Sequence, residues 1–263
     1  MSERPHPQAF RRRFAAGDHL IGTFIKTPVT HTVEIIGSLG FDFVVIDEEH
    51  APFDRVTIDG AILAARAVGT AALVRVAELT PAKILSVLDD GATGILVPHV
   101  ASAETARAVV ASARYRGGKR GFSNSPRAGG YGARPLWQHV DQADAEVTVI
   151  GMIEDPEALD QLDAILAVEG LDGVFIGRGD LTVALGASGP DAPEVQEACA
   201  KIFAAARRAG KPVCIMVGAA AEAAAFQARG ASAFIVSTDL GFLRAAAAKA
   251  FAEVAALGHA TEK

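Results

Sequence analysis

The sequence has few cysteines, no long apolar run and no basic excess. Its two cysteines, Cys199 and Cys214, show no metal or redox spacing, so we expect both to be reduced, small core residues. No apolar stretch approaches the roughly 18 residues that a membrane span needs. No apolar core follows the arginines near the N-terminus, as it would in a secretory signal. These absences predict a cytoplasmic protein that does not associate with membranes.

The charge balance gives no support for nucleic-acid binding. The formal net charge is -6 at pH 7, whereas a nucleic-acid-binding protein usually carries a basic stripe. The only basic run, Arg11-Arg12-Arg13, is typical of the solvated face of a short leading helix. Hydrophobic residues make up 50% of the 263 residues, which is ample for a full core. The length suits one large α/β domain as well as two small ones.

Short apolar segments alternate with helical segments along the chain. The eight predicted strands lie at 20–25, 43–46, 72–76, 94–97, 147–153, 173–176, 212–216 and 233–236. This alternation indicates βαβ units and a parallel sheet. Eight units without a linker predict a single TIM (β/α)8 barrel domain over residues 1–263. An open doubly wound sheet is the alternative, but no GxGxxG follows the first strand to favour it.

Ionisable residues follow the predicted strands. The strand at 43–46 runs directly into three acids and a histidine, and no packing argument needs such a cluster because an unpaired buried charge costs several kcal/mol. The residues at the strand ends are Lys26, Asp47, Glu49, His50, Arg75, His99, Glu154 and Asp180. Because the catalytic groups of TIM barrels lie at the carboxyl ends of the strands, we expect these side chains to converge on one mouth.

The residue types at these ends suggest a particular chemistry. The carboxylates of Glu154 and Asp180 are hard ligands that suit Mg²⁺ or Mn²⁺. Backbone N–H groups around Gly179 and Asp180, at a helix start, can hold a substrate carboxylate. Arg75 offers a fixed positive fork for an oxyanion, and His50 can move a proton near neutral pH. Together they predict an enolate-forming site for a 2-oxo acid.

At these residues the chain resembles the HpcH/HpaI aldolase family of metal-dependent (class II) pyruvate aldolases. The resemblance runs from Ile21-Gly22-Thr23 to the last helix. The motifs that carry it are Gly40-Phe41-Asp42, Ile46-Asp47 through Glu49-His50-Ala51-Pro52, Val74-Arg75, Leu96-Val97-Pro98, Ile153-Glu154, the segment 168–177 and Gly179-Asp180-Leu181. The resemblance implies a carbon–carbon lyase that reversibly cleaves a 4-hydroxy-2-oxo acid to pyruvate, or a related 2-oxo acid, and an aldehyde through a metal-stabilised enolate.

The resemblance also implies roles for individual residues. Glu154 and Asp180 become the ligands of a divalent metal ion, Mg²⁺, Mn²⁺ or Co²⁺. His50 becomes the proton-transfer residue, and Arg75 stabilises the enolate oxygen. The motif that contains His50 places Asp47 beside it as a further catalytic residue.

Asp89 matches the family acid that raises the basicity of the histidine. The predicted strands place Asp89 at the lower end of the barrel, where it cannot meet His50 of the same subunit. A neighbouring subunit must therefore supply it if the role holds. The family's hexamer, a trimer of dimers in which paired subunits exchange the last helix, would allow this, so we expect a homo-oligomer with an exchanged C-terminal helix.

Three departures from the family pattern concern the substrate. Met152 stands where some members have a substrate-contacting Gln, and Gly179 stands where they have Ala. The Gly-rich loop 121–132, which contains Arg127, differs from the best-known members. Because a long loop inside a compact domain is usually functional, we expect this loop and Arg127 to lie over the mouth and shape the aldehyde pocket.

Three other functions remain open at the level of sequence. Another lyase or synthase of the same superfamily could join an oxaloacetate- or pyruvate-derived enolate to a different electrophile. Lys26 ends a strand and could form a Schiff base without metal. The barrel could also bind an oxo acid as an effector without turning it over. The sequence does not identify the aldehyde.

Overall fold

Eight parallel strands close into a barrel in which each strand pairs with its sequence neighbours and the last strand pairs with the first. The structure is a computed structural model that describes residues 6–258. The strands are β1 (Leu20–Ile25), β2 (Phe43–Asp47), β3 (Ala71–Arg75), β4 (Gly94–Val97), β5 (Thr148–Ile153), β6 (Gly173–Ile176), β7 (Val213–Val217) and β8 (Ala231–Thr238). The predicted TIM barrel is confirmed. The two ends of the predicted domain, 1–5 and 259–263, lie outside the described residues.

Helices surround the barrel on its outer side. They are α1 (Phe10–Ala15), α2 (Thr30–Ser38), α3 (Arg55–Ala67), α4 (Pro81–Asp89), α5 (Ala103–Ala113), α6 (Leu136–Glu146), α7 (Leu162–Leu166), α8 (Arg178–Ala184), α9 (Pro193–Ala209), α10 (Ala220–Arg229) and α11 (Asp239–Gly258). Side-chain caps fix where several begin: Asp54 caps α3 in a capping box, and Thr80 and Ser102 accept backbone N–H groups at the starts of α4 and α5. Helix α6 was not predicted from the sequence.

Alternate residues of each strand point into the barrel and toward the helices, which gives two apolar clusters. The inner cluster includes Val45, Leu73, Leu96, Ile150, Met152, Phe175, Cys214 and Ile235. The outer cluster lies between the strands and the helices. Both cysteines are buried and unpaired, as predicted. Since the strands are parallel, the residues at their carboxyl ends meet at one mouth, where Asp47 of β2 pairs in register with Arg75 of β3.

The opposite end of the barrel is closed by α1. Phe10 and Phe14 stack with a centroid separation of 5.9 Å, and Phe14 lies so close to Gly173 that a β-carbon there would clash with its ring. Arg11 donates to Asp172 at 2.8 Å and Arg13 donates to Asp42 at 2.8 Å. The prediction of a wholly solvated basic face was therefore wrong for two of the three arginines, which hold α1 against the barrel.

The last helix begins on the barrel and leaves much of its apolar surface exposed. Asp239 accepts the backbone N–H groups of Lys26 and Thr27, at 2.8 and 3.0 Å. Farther along α11, Phe251 and Leu257 are 76% and 69% exposed. The exchange of this helix between subunits stays a prediction. Within residues 6–258, no helix has both the length and the apolar character needed to cross a membrane.

Candidate active site

Asp47 lies at the centre of the mouth, and its carboxylate is completely buried. Arg75 donates to it through Nε at 2.9 Å and Nη2 at 2.7 Å, and Lys26 forms an ion pair with the same carboxylate. Burial acts to raise the pKa of Asp47, but the hydrogen bonds and charges of Arg75 and Lys26 outweigh it, so its pKa lies below the ordinary value. Asp47 is therefore an anion that positions two cations.

The aromatic ring of Phe24 supports both cations. The Arg75 guanidinium carbon lies 4.8 Å from the ring centroid, and Lys26 Nζ lies 5.7 Å from it. Both distances are within the range of a cation–π interaction. The third Arg75 nitrogen, Nη1, is 3.3 Å from the carboxylate of Glu49. Two nitrogens of Arg75 therefore donate to Asp47, and the third lies beside Glu49 at the mouth.

Glu49 connects the arginine to two histidines. One of its oxygens lies 3.5 Å from His50 Nε2, and the other lies 4.0 Å from His99 Nε2. The His50 side chain is 56% exposed, and its backbone N–H donates to Asp47 at 3.2 Å. A solvent-accessible imidazole beside a carboxylate, held at its backbone by a second acid, is suited to proton transfer.

His99 joins this group to the acids that follow β5. Its backbone N–H donates to Glu154 at 2.9 Å, and its ring Nδ1 lies 3.0 Å from Asp155. His99 adopts a φ of 53°, a left-handed conformation that costs an L-residue about 1 kcal/mol or more. Burial acts to lower the pKa of His99, but the hydrogen bond and charge of Asp155 outweigh it, together with the charges of Glu154 and Glu49. The pKa of His99 is therefore raised.

Glu154 is the most perturbed acid of the mouth. Glu154 is 3% exposed, and this burial is the largest cause of a pKa raised to about 7. The charges of Asp180 and Glu49 raise the pKa further, whereas the hydrogen bond from the His99 N–H lowers it. Asp180 lies in the first turn of α8, whose cap is Gly177, and is exposed. Gly177 packs so tightly on the Glu154 carboxylate that a β-carbon would lie 2.6 Å from Oε2. A side chain at position 177 would therefore displace the Glu154 carboxylate.

Glu154 and Asp180 are the predicted ligands of a divalent cation. Within residues 6–258, no group of three or more His, Cys, Asp or Glu side chains is placed to hold a metal ion. A site with only two carboxylate ligands would leave coordination positions for water and a chelating substrate, as Mg²⁺ and similar ions prefer. Burial is the largest cause of the raised pKa of Glu154, and the negative charges of Asp180 and Glu49 add to it, so a nearby cation would favour the ionised carboxylate.

The other predicted site residues lie in different surroundings. Met152 is buried inside the barrel one inward position below Glu154, so it can reach the mouth only as part of its floor. Gly179 has open space beside it, and a β-carbon added there would meet no atom within 4 Å. Asp89 ends α4 and accepts a hydrogen bond from Arg120 at 3.0 Å, far from His50 in this subunit.

The structure places Arg127 away from the mouth of its own barrel, and its role in the aldehyde pocket stays a prediction. Its guanidinium donates to the backbone oxygen of Asp90 at 2.7 Å and to the carboxylate of Asp59 at 3.0 Å. Its alkyl chain packs against Gly91. Arg127 is therefore bound to α3 and to the turn after α4, and it does not lie over the mouth of its own barrel.

Glu49, His99 and Asp155 belong to the site although they were not selected as site residues from the sequence. Glu49 and His99 were visible as strand-end residues. Their contacts with each other and with Arg75 and Glu154 join residues from different strands, and a local sequence pattern does not predict such contacts. Asp155 could have been found only through its adjacency to Glu154.

The chain is similar to known proteins over most of its length. A family model for HpcH/HpaI aldolase/citrate lyase matches residues 20–246. The 5-keto-4-deoxy-D-glucarate aldolase of Klebsiella pneumoniae is 38% identical over 245 residues, which cover 92% of this chain and 95% of that protein.

Two solved structures are similar over almost their whole length. An HpcH/HpaI aldolase/citrate lyase family protein from Burkholderia cenocepacia has a TM-score of 0.89 and 28% identity, covering 94% of this chain and 99% of its own. The citrate synthase SbnG has a TM-score of 0.87 and 32% identity, covering 96% of this chain and 99% of its own. The similarity extends over almost the whole barrel.

Proposed function

Because this chain belongs to the HpcH/HpaI aldolase/citrate lyase family of carbon–carbon lyases, we propose that it is a metal-dependent aldolase acting on a 4-hydroxy-2-oxo acid. The products of cleavage are pyruvate, or a related 2-oxo acid, and an aldehyde. The observation that carries the proposal is a continuous line of charged groups across the mouth. Arg75 contacts Glu49, Glu49 approaches His99, and His99 contacts Glu154.

A sugar-acid derivative is the favoured class of substrate. The 38% identical relative is named a 5-keto-4-deoxy-D-glucarate aldolase, and such a substrate carries a second carboxylate besides that of the 2-oxo acid. Lys26 and Arg75 are the two cations at this end of the mouth, beside the carboxylates of Asp47 and Glu49. Their N–H groups would donate to the second carboxylate of such a substrate.

The residues of the mouth divide the reaction between them. Glu154 and Asp180 would hold the divalent cation, which would supply Lewis acidity toward the carbonyl of the 2-oxo acid. Backbone N–H groups of Gly179 and Asp180, in the first turn of α8, would hold the substrate carboxylate, and the space beside Gly179 is open. Arg75 Nη1 would stabilise the negative charge that develops on the enolate oxygen.

His50 would move the proton. As the carbon–carbon bond breaks, its imidazole accepts the proton of the 4-hydroxyl group, and the aldehyde leaves. Glu49 orients the ring from within the same subunit. Asp89 would act on His50 only from a neighbouring subunit, since in its own subunit it ends α4 on the amino side of the barrel.

The decisive experiment is an aldehyde screen with pyruvate and Mg²⁺, Mn²⁺ or Co²⁺, with product masses as the readout. We expect aldol products that disappear in EDTA and return with any of these ions. Asp180→Asn should not recover at ordinary metal concentrations. Full activity in EDTA would refute the metal mechanism.

A synthase is the second candidate, and the similarity to the citrate synthase SbnG favours it. In that case an oxaloacetate- or pyruvate-derived enolate would add to an electrophile other than an aldehyde, such as a ketone, and form a tertiary alcohol. The screen separates the two functions when ketone acceptors, including a second 2-oxo acid, are included. Condensation with a ketone but with no aldehyde would establish the synthase.

A further inference from the structure

A cavity of about 240 Å³ lies at the amino end of the barrel, on the opposite side from the mouth. It is enclosed by the turns that follow α3 and α4, by α6 and by residues 6–8. Since a water molecule in the liquid occupies about 30 Å³, the cavity is larger than a site for a single water. It is smaller than the roughly 300–1,000 Å³ of drug-sized pockets, so it suits a small ligand.

The cavity contains a buried arginine with unused donors. The side chain of Arg120 is 1% exposed, and its Nη2 donates to Asp89 at 3.0 Å. Its Nε and Nη1 have no hydrogen-bond partner among the described residues. The guanidinium carbon lies 4.5 Å from the centroid of the Tyr115 ring, which holds the plane of the group in place. Burial of a donor without a partner is unfavourable, so a partner for these two nitrogens would be favoured.

A histidine and a second arginine complete the lining. His139 is 1% exposed, and among the described residues its Nδ1 is also without a partner, whereas its Nε2 lies 3.3 Å from the Tyr115 hydroxyl. Arg134 lines the cavity and donates through Nη1 to the Ala128 oxygen at 3.1 Å. Burial, followed by the charges of Arg120 and Arg134, lowers the pKa of His139, in keeping with the closeness of the three groups.

The acids near the cavity are already engaged. Glu146 lines it and accepts a hydrogen bond from Gln142 at 2.8 Å. Asp89 occupies one nitrogen of Arg120 and leaves the other two free of any partner in the described part of the chain. Arg66 adds a third positive charge at the edge of the cavity. Positive charge therefore exceeds negative charge around the space.

We propose that this cavity is a binding site for a small oxyanion, a carboxylate or a phosphate, held by Arg120, Arg134 and His139. Nε and Nη1 lie on different edges of the planar guanidinium, so each can donate one charge-assisted hydrogen bond to an oxyanion. The site is separate from the mouth of its own barrel, because it lies at the amino ends of the strands and shares none of its residues with that mouth. Its occupancy links α6 to the turn after α4.

Calorimetric titration of the full-length protein with inorganic phosphate and with malonate, at constant ionic strength, tests the site. We expect saturable binding of one anion per chain and a higher melting temperature. Arg134→Gln and Arg120→Lys should each weaken it about tenfold or more, the equivalent of one charge-assisted hydrogen bond. Arg107→Gln, which removes an exposed arginine of α5, and Arg75→Lys, which alters the mouth, should leave the affinity unchanged.

The two probes and the variants give distinct outcomes. Tighter binding of malonate identifies a carboxylate ligand, and tighter binding of phosphate identifies a phosphate ligand. Absence of saturable binding by either anion overturns the proposal. Binding that survives Arg134→Gln and Arg120→Lys but is lost in Arg75→Lys also overturns it, since the anion would then occupy the mouth. Arg134→Gln breaks no ion pair of the described residues, so it separates loss of binding from loss of folding.

Discussion

Arg75 donates two hydrogen bonds, of 2.9 and 2.7 Å, to the buried carboxylate of Asp47. The two residues are paired in register on the neighbouring strands β3 and β2. This fork fixes the guanidinium plane before any substrate enters. The remaining nitrogen is therefore held in one direction, and little reorganisation is needed when charge develops near it. Lysine at position 75 could supply the charge but not the fork.

Lys26→Ala should retain metal-dependent turnover, with a higher KM for an anionic substrate. Lys26 Nζ forms an ion pair with Asp47, which is an anion. This ion pair favours the ammonium form, which has no free electron pair to attack a carbonyl. Steady-state kinetics with saturating Mn²⁺ will measure this. Borohydride added with pyruvate should leave the wild type active. Trapping of pyruvate on Lys26 would instead establish a Schiff base.

His50→Ala should lower kcat by roughly 10²–10⁴, the usual contribution of a positioned proton-transfer group. Pyruvate binding should change little, because other groups would hold the oxo acid. Stopped-flow turnover and calorimetric pyruvate titration will measure the two effects. Wild-type turnover in this variant would remove His50 from the mechanism.

The same variant can locate the action of Asp89. His50→Ala and Asp89→Asn subunits, each inactive alone, should recover activity when mixed if one subunit's acid serves another's histidine. Mixing without recovery would confine Asp89 to a structural role beside Arg120.

Without metal, Glu154→Gln should be more stable than the wild type above pH 7, by at most about 3 kcal/mol. The pKa of Glu154 is raised from an ordinary 4.5 to about 7, so the folded protein binds more protons than the unfolded chain between these values. Wild-type stability therefore falls as the pH rises through this window, and the glutamine variant avoids that loss.

Urea unfolding in EDTA at pH 5 and pH 8 will measure this difference. The gap between variant and wild type should be large at pH 8 and small at pH 5, and Mg²⁺ should close it at pH 8 by stabilising only the wild type. A gap that is equal at both pH values would contradict the assignment.

Arg127→Ala should destabilise the fold by about 1–3 kcal/mol, because it leaves Asp59 and the Asp90 carbonyl without their buried partner. The midpoint of urea unfolding will measure this. Arg107→Ala, at an exposed position of α5, is the matched control and should change stability by no more than about 0.5 kcal/mol. Equal midpoints for the two variants would show that the Arg127 contacts contribute nothing.

The barrel was predictable because its strands are short, apolar and regularly spaced, and because their ends carry the polar residues. The positions of Asp47, Arg75 and Glu154 at one mouth follow from that pattern alone. Helix α6 was missed because its residues 136–146 are largely polar and follow a Gly-rich loop, so its few apolar side chains show no clear period.

The partners of Arg127 and Asp89 could not be predicted, since each pair joins the end of α4 to a residue in or beside the Gly-rich loop. The sequence separations are 37 residues for Arg127 with Asp90 and 31 residues for Arg120 with Asp89. An aperiodic loop gives no register from which such pairs can be derived. The resemblance indicated which residues matter, whereas the direction in which this loop folds required the structure.

The hydrogen bond from Lys26 to Asp239 joins residues that are 213 positions apart, at the seam where β8 meets β1. A ribosome adding about 5–20 residues per second would take roughly ten to forty seconds to make that stretch. During this interval β2, one neighbour of β1, has been synthesised, but β8, its other neighbour, has not. The unpaired edge of β1 can then pair with other strands. The Lys26 backbone can therefore reach its final position only after Asp239, at the start of α11, has been made. The mouth is completed at the end of synthesis.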